Sequence, residues 1–366
     1  MQKRDIPWAS PHYWGNEERY VLDALRSSWI SGGAYVDRLE EDFARYCDTC
    51  YAVAASNGTT ALHMAYLALD IHPGDEIIVP GFGFMAAANV ALHVGAKPVF
   101  SEVDKDTWCM TAAEVEKCIT PKTRAIVPIH TYGNVCDMAR IMELADSKGL
   151  LVVEDAAEAI GSKYLGRMAG TIAPLGIYSF HATKTITTGE GGAVVTSSVE
   201  LRDRMSLFRS HGMSTRRYWH EVAGHNFRLT NMQAAIGCAQ LEQIETITRE
   251  RDRVYKTYLQ FLQDVGGVTL QCYSDNVDPV VWAIAVKTNV AAFPQGRDAV
   301  ISRLKEMGVE TRPGFYSSNS MSHIYGVENL PICDHLSQQV ISLPSSPTLT
   351  EEEIKYVCDS FKSCKR

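Results

Sequence analysis

The chain is 366 residues long, enough for two compact domains and a sizeable buried core. Hydrophobic residues make up 46% of it and charged residues 21%, the balance of an ordinary globular protein rather than a disordered or fibrous one. With 35 basic against 43 acidic side chains the net charge is −8 and no dense basic block occurs, so nucleic acid and anionic membranes are poor partners, although a locally positive pocket could still take an anionic substrate.

The start, Met1-Gln2-Lys3-Arg4-Asp5, is polar and lacks the apolar core of a signal peptide. No apolar run approaches the roughly 20 residues that a bilayer-spanning helix needs. Cys47 and Cys50 have C-x-x-C spacing, but no second Cys or His pair matches it, so the spacing reads as structural and no metal is expected. Scattered free thiols suit a reducing compartment, and a cytoplasmic protein is expected.

In chain order, Val36, Leu39, Phe43 and Tyr46 share one helical face near the amino terminus. Short apolar strands then alternate with helices, at residues 51–55, 76–79, 97–100, 124–128, 150–153, 176–180 and 193–196. That alternation predicts an α/β fold with a central, mostly parallel sheet flanked by helices. Met138, Ile141, Met142 and Ala145 give a helix over 137–148 its core face. A long helix is predicted from near Thr230 toward Leu262. Beyond it come a strand-like stretch at 280–286, a helix over 297–307, an extended 309–312 and a final helix after Thr350, where Glu353 completes a capping signal. The division expected is a large α/β domain over 1–245 and a smaller α+β domain over 246–366.

Four segments fall where strands end, the edge at which open α/β sheets bind ligands. Ser56-Asn57-Gly58-Thr59-Thr60 joins a strand to a helix, so it reads equally as a phosphate cup at a helix start and as a plain turn capped by Thr. Glu154-Asp155 ends a buried strand, where a carboxylate needs a cation: a protonated pyridine nitrogen or, as the rival, magnesium. Lys184 follows a strand and precedes Gly189-Glu190-Gly191-Gly192, a setting for an amine that forms a Schiff base once its pKa is lowered. Residues 226–235 bring polar groups into the start of a helix, for capping or for a neighbouring subunit. A phosphate cup, an acid for a ring nitrogen and a Schiff-base lysine, in that order, are what pyridoxal 5'-phosphate requires of a protein.

The arrangement resembles the fold-type I (aspartate aminotransferase-like) enzymes that depend on pyridoxal phosphate. Within them it resembles the nucleotide-sugar aminotransferases of the DegT/DnrJ/StrS group. The likeness spans nearly the whole chain, through residues 27–33, 57–62, 73–80, Glu154-Asp155-Ala156-Ala157 and Ser179-Phe180-His181-Ala182-Thr183-Lys184 to 343–347. The resemblance implies that Lys184 holds the cofactor and that Asp155 pairs with its ring nitrogen. Gly58, Thr59 and Ser179 would hold the phosphate, Phe84 would stack on the ring, and Glu158 would lie near the ring hydroxyl. Asn226 would reach the cofactor phosphate of the other subunit, so a homodimer with shared active sites is expected. Trp29, Ser31, Arg228 and Arg312 would contact the substrate.

The implied reaction moves an amine from L-glutamate to a nucleotide-linked keto sugar by way of pyridoxamine phosphate. Residues 104–110 and 184–192 most resemble members that aminate the 4-keto group of GDP-4-keto-6-deoxymannose. Gly83, Glu158 and the stretch after Arg312-Pro313 depart from common family residues, which leaves a dTDP- or UDP-linked 4-keto or 3-keto hexose as the alternative. Relatives that carry His in place of the lysine remove a hydroxyl, and Lys184 argues against that chemistry here. A cofactor-binding regulator without turnover and a metal-dependent hydrolase are the rivals from other classes. The Lys184–Asp155 pair speaks against the first, and the spacing of His63, His72, His93 and His130 against the second.

Overall fold

The computed structural model describes residues 4–324 and 329–365. A seven-stranded sheet organises it, in the spatial order Tyr51–Ala55, Gly192–Thr196, Leu175–Ser179, Leu151–Asp155, Thr123–Ile126, Glu76–Pro80, Lys97–Ser101. Only Gly192–Thr196 runs against its neighbours. The other six strands point one way, so their carboxyl ends share one edge.

Both faces of this sheet are covered, which is why its central strands carry continuous apolar runs instead of alternating. Glu76–Pro80 is buried along its whole length. Ile78, Val99, Ile126 and Val152 face the helices Ala34–Tyr46, Met138–Lys148 and Asn231–Glu242. Ile77, Val79, Ala125 and Val153 face the helices Gly58–Ala68 and Ala86–His93. The amino-terminal stripe packs as its spacing requires, with the Phe43 ring edge-on to Tyr178 and Phe180 at 5.0 and 5.1 Å.

A second, antiparallel sheet has the order Val268–Leu270, Ala285–Thr288, Val340–Ser342, Arg312–Pro313. Its core joins Val254, Tyr258, Val300, Leu304, Ile341 and Phe361 from the sheet and three helices. The amino-terminal segment crosses to this part. Ile6 sits in the same core, and Trp8 donates its backbone N–H to Glu310 and its Nε1–H to Ser342 Oγ, both at 2.9 Å.

Three expectations need correction. The long helix is two helices, Asn231–Glu242 and Ile244–Leu262, separated at Gln243 (φ −106°, ψ 11°). The first buries Ala234, Ala235 and Cys238 against the large sheet and the second buries Val254, Tyr258 and Leu262 against the small one, so a single straight axis would strand one of the two stripes. The strand expected at 280–286 is Ala285–Thr288, because Val280 and Trp282 give their N–H groups to Ser162 Oγ and the Tyr132 carbonyl. At 309–312 the pairing is split rather than continuous: Val309 bridges Ile6 in parallel, and Arg312, together with Pro313, pairs with Ser342 and Ile341. The cap at Thr350 is as read, with Glu353 bonding back to it. Among the described residues no helix is long and apolar enough to cross a membrane.

Candidate active site

Asn57 caps the helix Gly58–Ala68: its side chain accepts from the Thr60 N–H at 2.8 Å while Thr60 Oγ1 accepts from the Asn57 N–H. The cap is therefore Asn57 and not a threonine. The first turn of that helix presents Gly58 and Thr59 to a cavity of about 710 Å³. Ser179, at the end of its strand, forms the opposite wall, so close that a Cβ on Gly58 would stand 3.1 Å from the Ser179 Cβ. Free N–H groups, a hydroxyl and a positive helix end in one cup suit a phosphate.

Glu154 and Asp155 point to opposite sides of their strand and meet opposite fates. Glu154 is fully buried and takes N–H bonds from Gly170, Ile172 and Ala173 at 2.6 to 2.8 Å, with His130 Nε2 at 3.0 Å. His130 is thereby spent on Glu154. Asp155 lines the cavity, is 4% exposed and receives only the Ala157 N–H, at 3.1 Å, among the described residues. Burial pushes its carboxyl up to about 6, with Ala157 and Lys184 opposing and Glu158 adding. A buried acid without a bonded cation is the site that a protonated ring nitrogen fills.

Lys184 leaves the turn after Ser179, its backbone N–H donating to the His181 carbonyl at 2.9 Å. Its Nζ lies 3.4 Å from Glu158 Oε1 and 3.5 Å from the centroid of the Trp282 ring. Burial lowers the pKa of the amine, while the charges of Glu158 and Asp155 raise it. Glu158 is anchored by the Tyr132 N–H at 2.8 Å, and burial raises its own pKa. Tyr132 holds a left-handed backbone (φ 59°), uncommon for a bulky residue, under a parallel stack on Phe315 at 5.0 Å. Phe84 is 60% exposed at the mouth, and Arg312 lines the cavity while paired with Glu310 at 2.7 Å. The residues present thus fit pyridoxal phosphate: an anion cup, an unpaired buried acid and a buried amine face one space.

Trp29, Ser31, Asn226 and Arg228 do not line this cavity and are exposed. Asn231 holds the first two in place, donating its N–H to the Ser31 carbonyl at 3.0 Å and its Nδ2–H to the Trp29 carbonyl at 2.7 Å. Arg228 Nε donates to Asn226 Oδ1 at 3.0 Å. Trp8, Tyr132 and Trp282 line the cavity without having been singled out in the sequence, and Phe315 joins them from the stretch after Arg312-Pro313. They lie far apart in the chain, and only the fold brings them to one place.

The sequence model of the DegT/DnrJ/EryC1/StrS aminotransferase family matches residues 13–362. The chain is 42% identical to a GDP-perosamine synthase of Escherichia coli O157:H7, over 97% of each chain. It is 35% identical to a dTDP-3-amino-3,4,6-trideoxy-alpha-D-glucose transaminase of Streptomyces venezuelae, over 94% of this chain and 92% of that one. Among solved structures, a putative sugar aminotransferase from Streptococcus pneumoniae in its PLP-form superposes with a TM-score of 0.93 at 26% identity, covering 99% of this chain and 98% of the other.

Proposed function

Starting from the fact that this chain belongs to the DegT/DnrJ/EryC1/StrS aminotransferase family, we propose that it is a pyridoxal-phosphate-dependent enzyme of the cytoplasm that moves the amino group of L-glutamate onto the 4-keto carbon of GDP-4-keto-6-deoxymannose. The observation that carries the chemistry is the buried, unpaired Asp155 facing the same cavity as the buried amine of Lys184. The 42% identity to a GDP-perosamine synthase supports the acceptor.

When bound, pyridoxal phosphate supplies an aldehyde that captures amines and an electron-poor ring that takes up the charge left by a departing α-proton. The chain does the rest. Asp155, at the end of its strand, supplies the negative charge that keeps a ring nitrogen protonated. Gly58, Thr59 and Ser179 would hold the phosphate, and Phe84, at the mouth, would cover the ring. Glu158, which accepts from the Lys184 amine, would serve the ring hydroxyl. Freed when a donor amine takes its place, Lys184 would be a base of lowered proton affinity in a buried site, suited to take the proton from the donor's α-carbon. For the keto sugar it would act in the opposite sense, delivering a proton to the sugar carbon that gains the amine.

Arg312 holds the acceptor from this cavity, Trp29, Ser31 and Arg228 would reach it only across a homodimer interface, and Asn226 of the partner subunit completes the phosphate site. The exposure of Asn226 and Arg228 outside their own cavity supports a role across an interface. The 35% identity to a transaminase named for a dTDP-linked sugar keeps a second reading open, in which the acceptor is a dTDP- or UDP-linked keto hexose. Turnover of GDP-, dTDP- and UDP-linked keto sugars with glutamate, read by product mass, separates the two. The account expects the GDP-linked 4-keto sugar to be preferred by kcat/KM, and preference for another base overturns the acceptor assignment alone.

A further inference from the structure

Arg251 lies in the helix Ile244–Leu262 and is 5% exposed, yet no carboxylate pairs with it among the described residues. Its guanidinium instead donates to three backbone carbonyls, of Trp282 at 2.9 Å, Lys184 at 3.2 Å and Ser345 at 3.4 Å. Its Nε has no partner among the described residues. Burial lowers its pKa to about 10, so it stays a cation at neutral pH. Burying a charge without a counter-charge is costly, and a simple packing role would be filled more cheaply by an apolar side chain.

Two of the three carbonyls belong to the lysine site. One is that of Lys184 itself. Another is that of Trp282, whose ring lies under the Lys184 amine and whose Nε1–H donates to the Thr183 carbonyl at 2.7 Å. The third ties in Ser345, whose Oγ accepts the Ile284 N–H at 2.8 Å. We infer that Arg251 is a positioning residue for Lys184: its planar fork holds together the lysine turn and the indole on which the amine rests. A planar fork with five donors can do this, and a lysine ammonium cannot reproduce it.

Its charge has a separate effect. The groups acting on the Lys184 amine are Glu158 and Asp155, which favour its protonation, and Arg251, which joins burial in opposing it. Fork and charge can therefore be tested apart. The inference rests on the reading of Lys184 as the cofactor lysine.

Holoenzymes of wild type, Arg251→Lys, Arg251→Met and Trp282→Phe would be compared by steady-state kinetics and by the pH titration of the visible absorption of cofactor bound at Lys184. Arg251→Lys keeps the charge and loses the fork, so its titration midpoint should match wild type while kcat falls roughly ten-fold with little change in KM. Trp282→Phe should behave in the same way. Arg251→Met loses both, and its midpoint should also rise by roughly one pH unit, since the bound lysine is protonated more readily without a neighbouring cation. Wild-type kcat in Arg251→Lys and Trp282→Phe overturns the inference, whether or not Arg251→Met folds. So does an unshifted midpoint in a folded Arg251→Met protein. A wild-type holoenzyme without the visible absorption of cofactor bound to an amine would instead overturn the assignment of Lys184.

Discussion

Asp155 carries a desolvation cost with little to offset it: Glu154, one residue away, takes three backbone N–H groups and faces His130, while Asp155 has one N–H. The cost has a pH signature in the cofactor-free protein. The folded value of about 6 lies above the ordinary 3.8, so folding favours the protonated acid. That contribution is fully present below the ordinary value and is lost as pH rises through the folded one. Between about pH 4 and pH 7 the apo wild type should therefore lose up to about 3 kcal/mol relative to apo Asp155→Asn, at ~1.4 kcal/mol per pH unit. Denaturant unfolding of both proteins at the two pH values checks this, and parallel behaviour would mean that the acid is not desolvated. With cofactor present, Asp155→Ala should retain less of it, because a buried pyridinium loses its counter-charge. Lys184→Ala should still bind cofactor through the phosphate and ring contacts but lose turnover, which equilibrium dialysis and a rate assay would separate. That Lys184 and Asp155 would face one space was legible because both sit in specific local motifs. Tyr132, Trp282 and Arg251 were not, since nothing local marks a loop aromatic or one arginine among several on a charged helix.

At the scale of elements, the cofactor cup depends on how the helix Gly58–Ala68 begins. Asn57 and Thr60 each satisfy a backbone N–H of that start, so Asn57→Ala should destabilise the protein by about 1 kcal/mol and weaken cofactor binding as the first turn frays. Gly58→Val should lower affinity more than stability, because its side chain would be driven against Ser179 and into the phosphate position. Isothermal titration of cofactor into the apo variants tests both, and wild-type affinity in Gly58→Val would remove the phosphate from this turn. The seven strands of the large sheet were readable to within about two residues, as short apolar runs between turn signals are among the clearer patterns. The break at Gln243 was not, because charge and helix propensity continue across it. What ends the first helix is that two cores compete for one chain, which is tertiary information.

At the scale of the whole molecule, the one-chain cavity gathers Gly58, Thr59, Phe84, Asp155, Glu158, Ser179, Lys184 and Arg312, and leaves Asn226 and Arg228 outside. A two-fold dimer with shared sites predicts that Lys184→Ala and Asn226→Ala, each impaired alone, regain activity when their subunits exchange. Each hybrid then has one site with both residues intact and one lacking both, so recovery should reach at most about half of wild type per dimer. No recovery in hybrids verified by mass, with Asn226→Ala impaired on its own, would assign Asn226 to its own subunit's site.

The account stands or falls on Lys184 as the residue that binds the cofactor and yields it to the donor. Borohydride reduction of the holoenzyme followed by peptide mapping tests this directly, run once before and once after excess L-glutamate is added without acceptor. Before glutamate, the cofactor mass should be fixed on the peptide carrying Lys184. After glutamate, that peptide should be unmodified, because the cofactor has left the lysine with the donor's amine. A modified lysine elsewhere, or a Lys184 adduct that glutamate does not remove, would contradict the account.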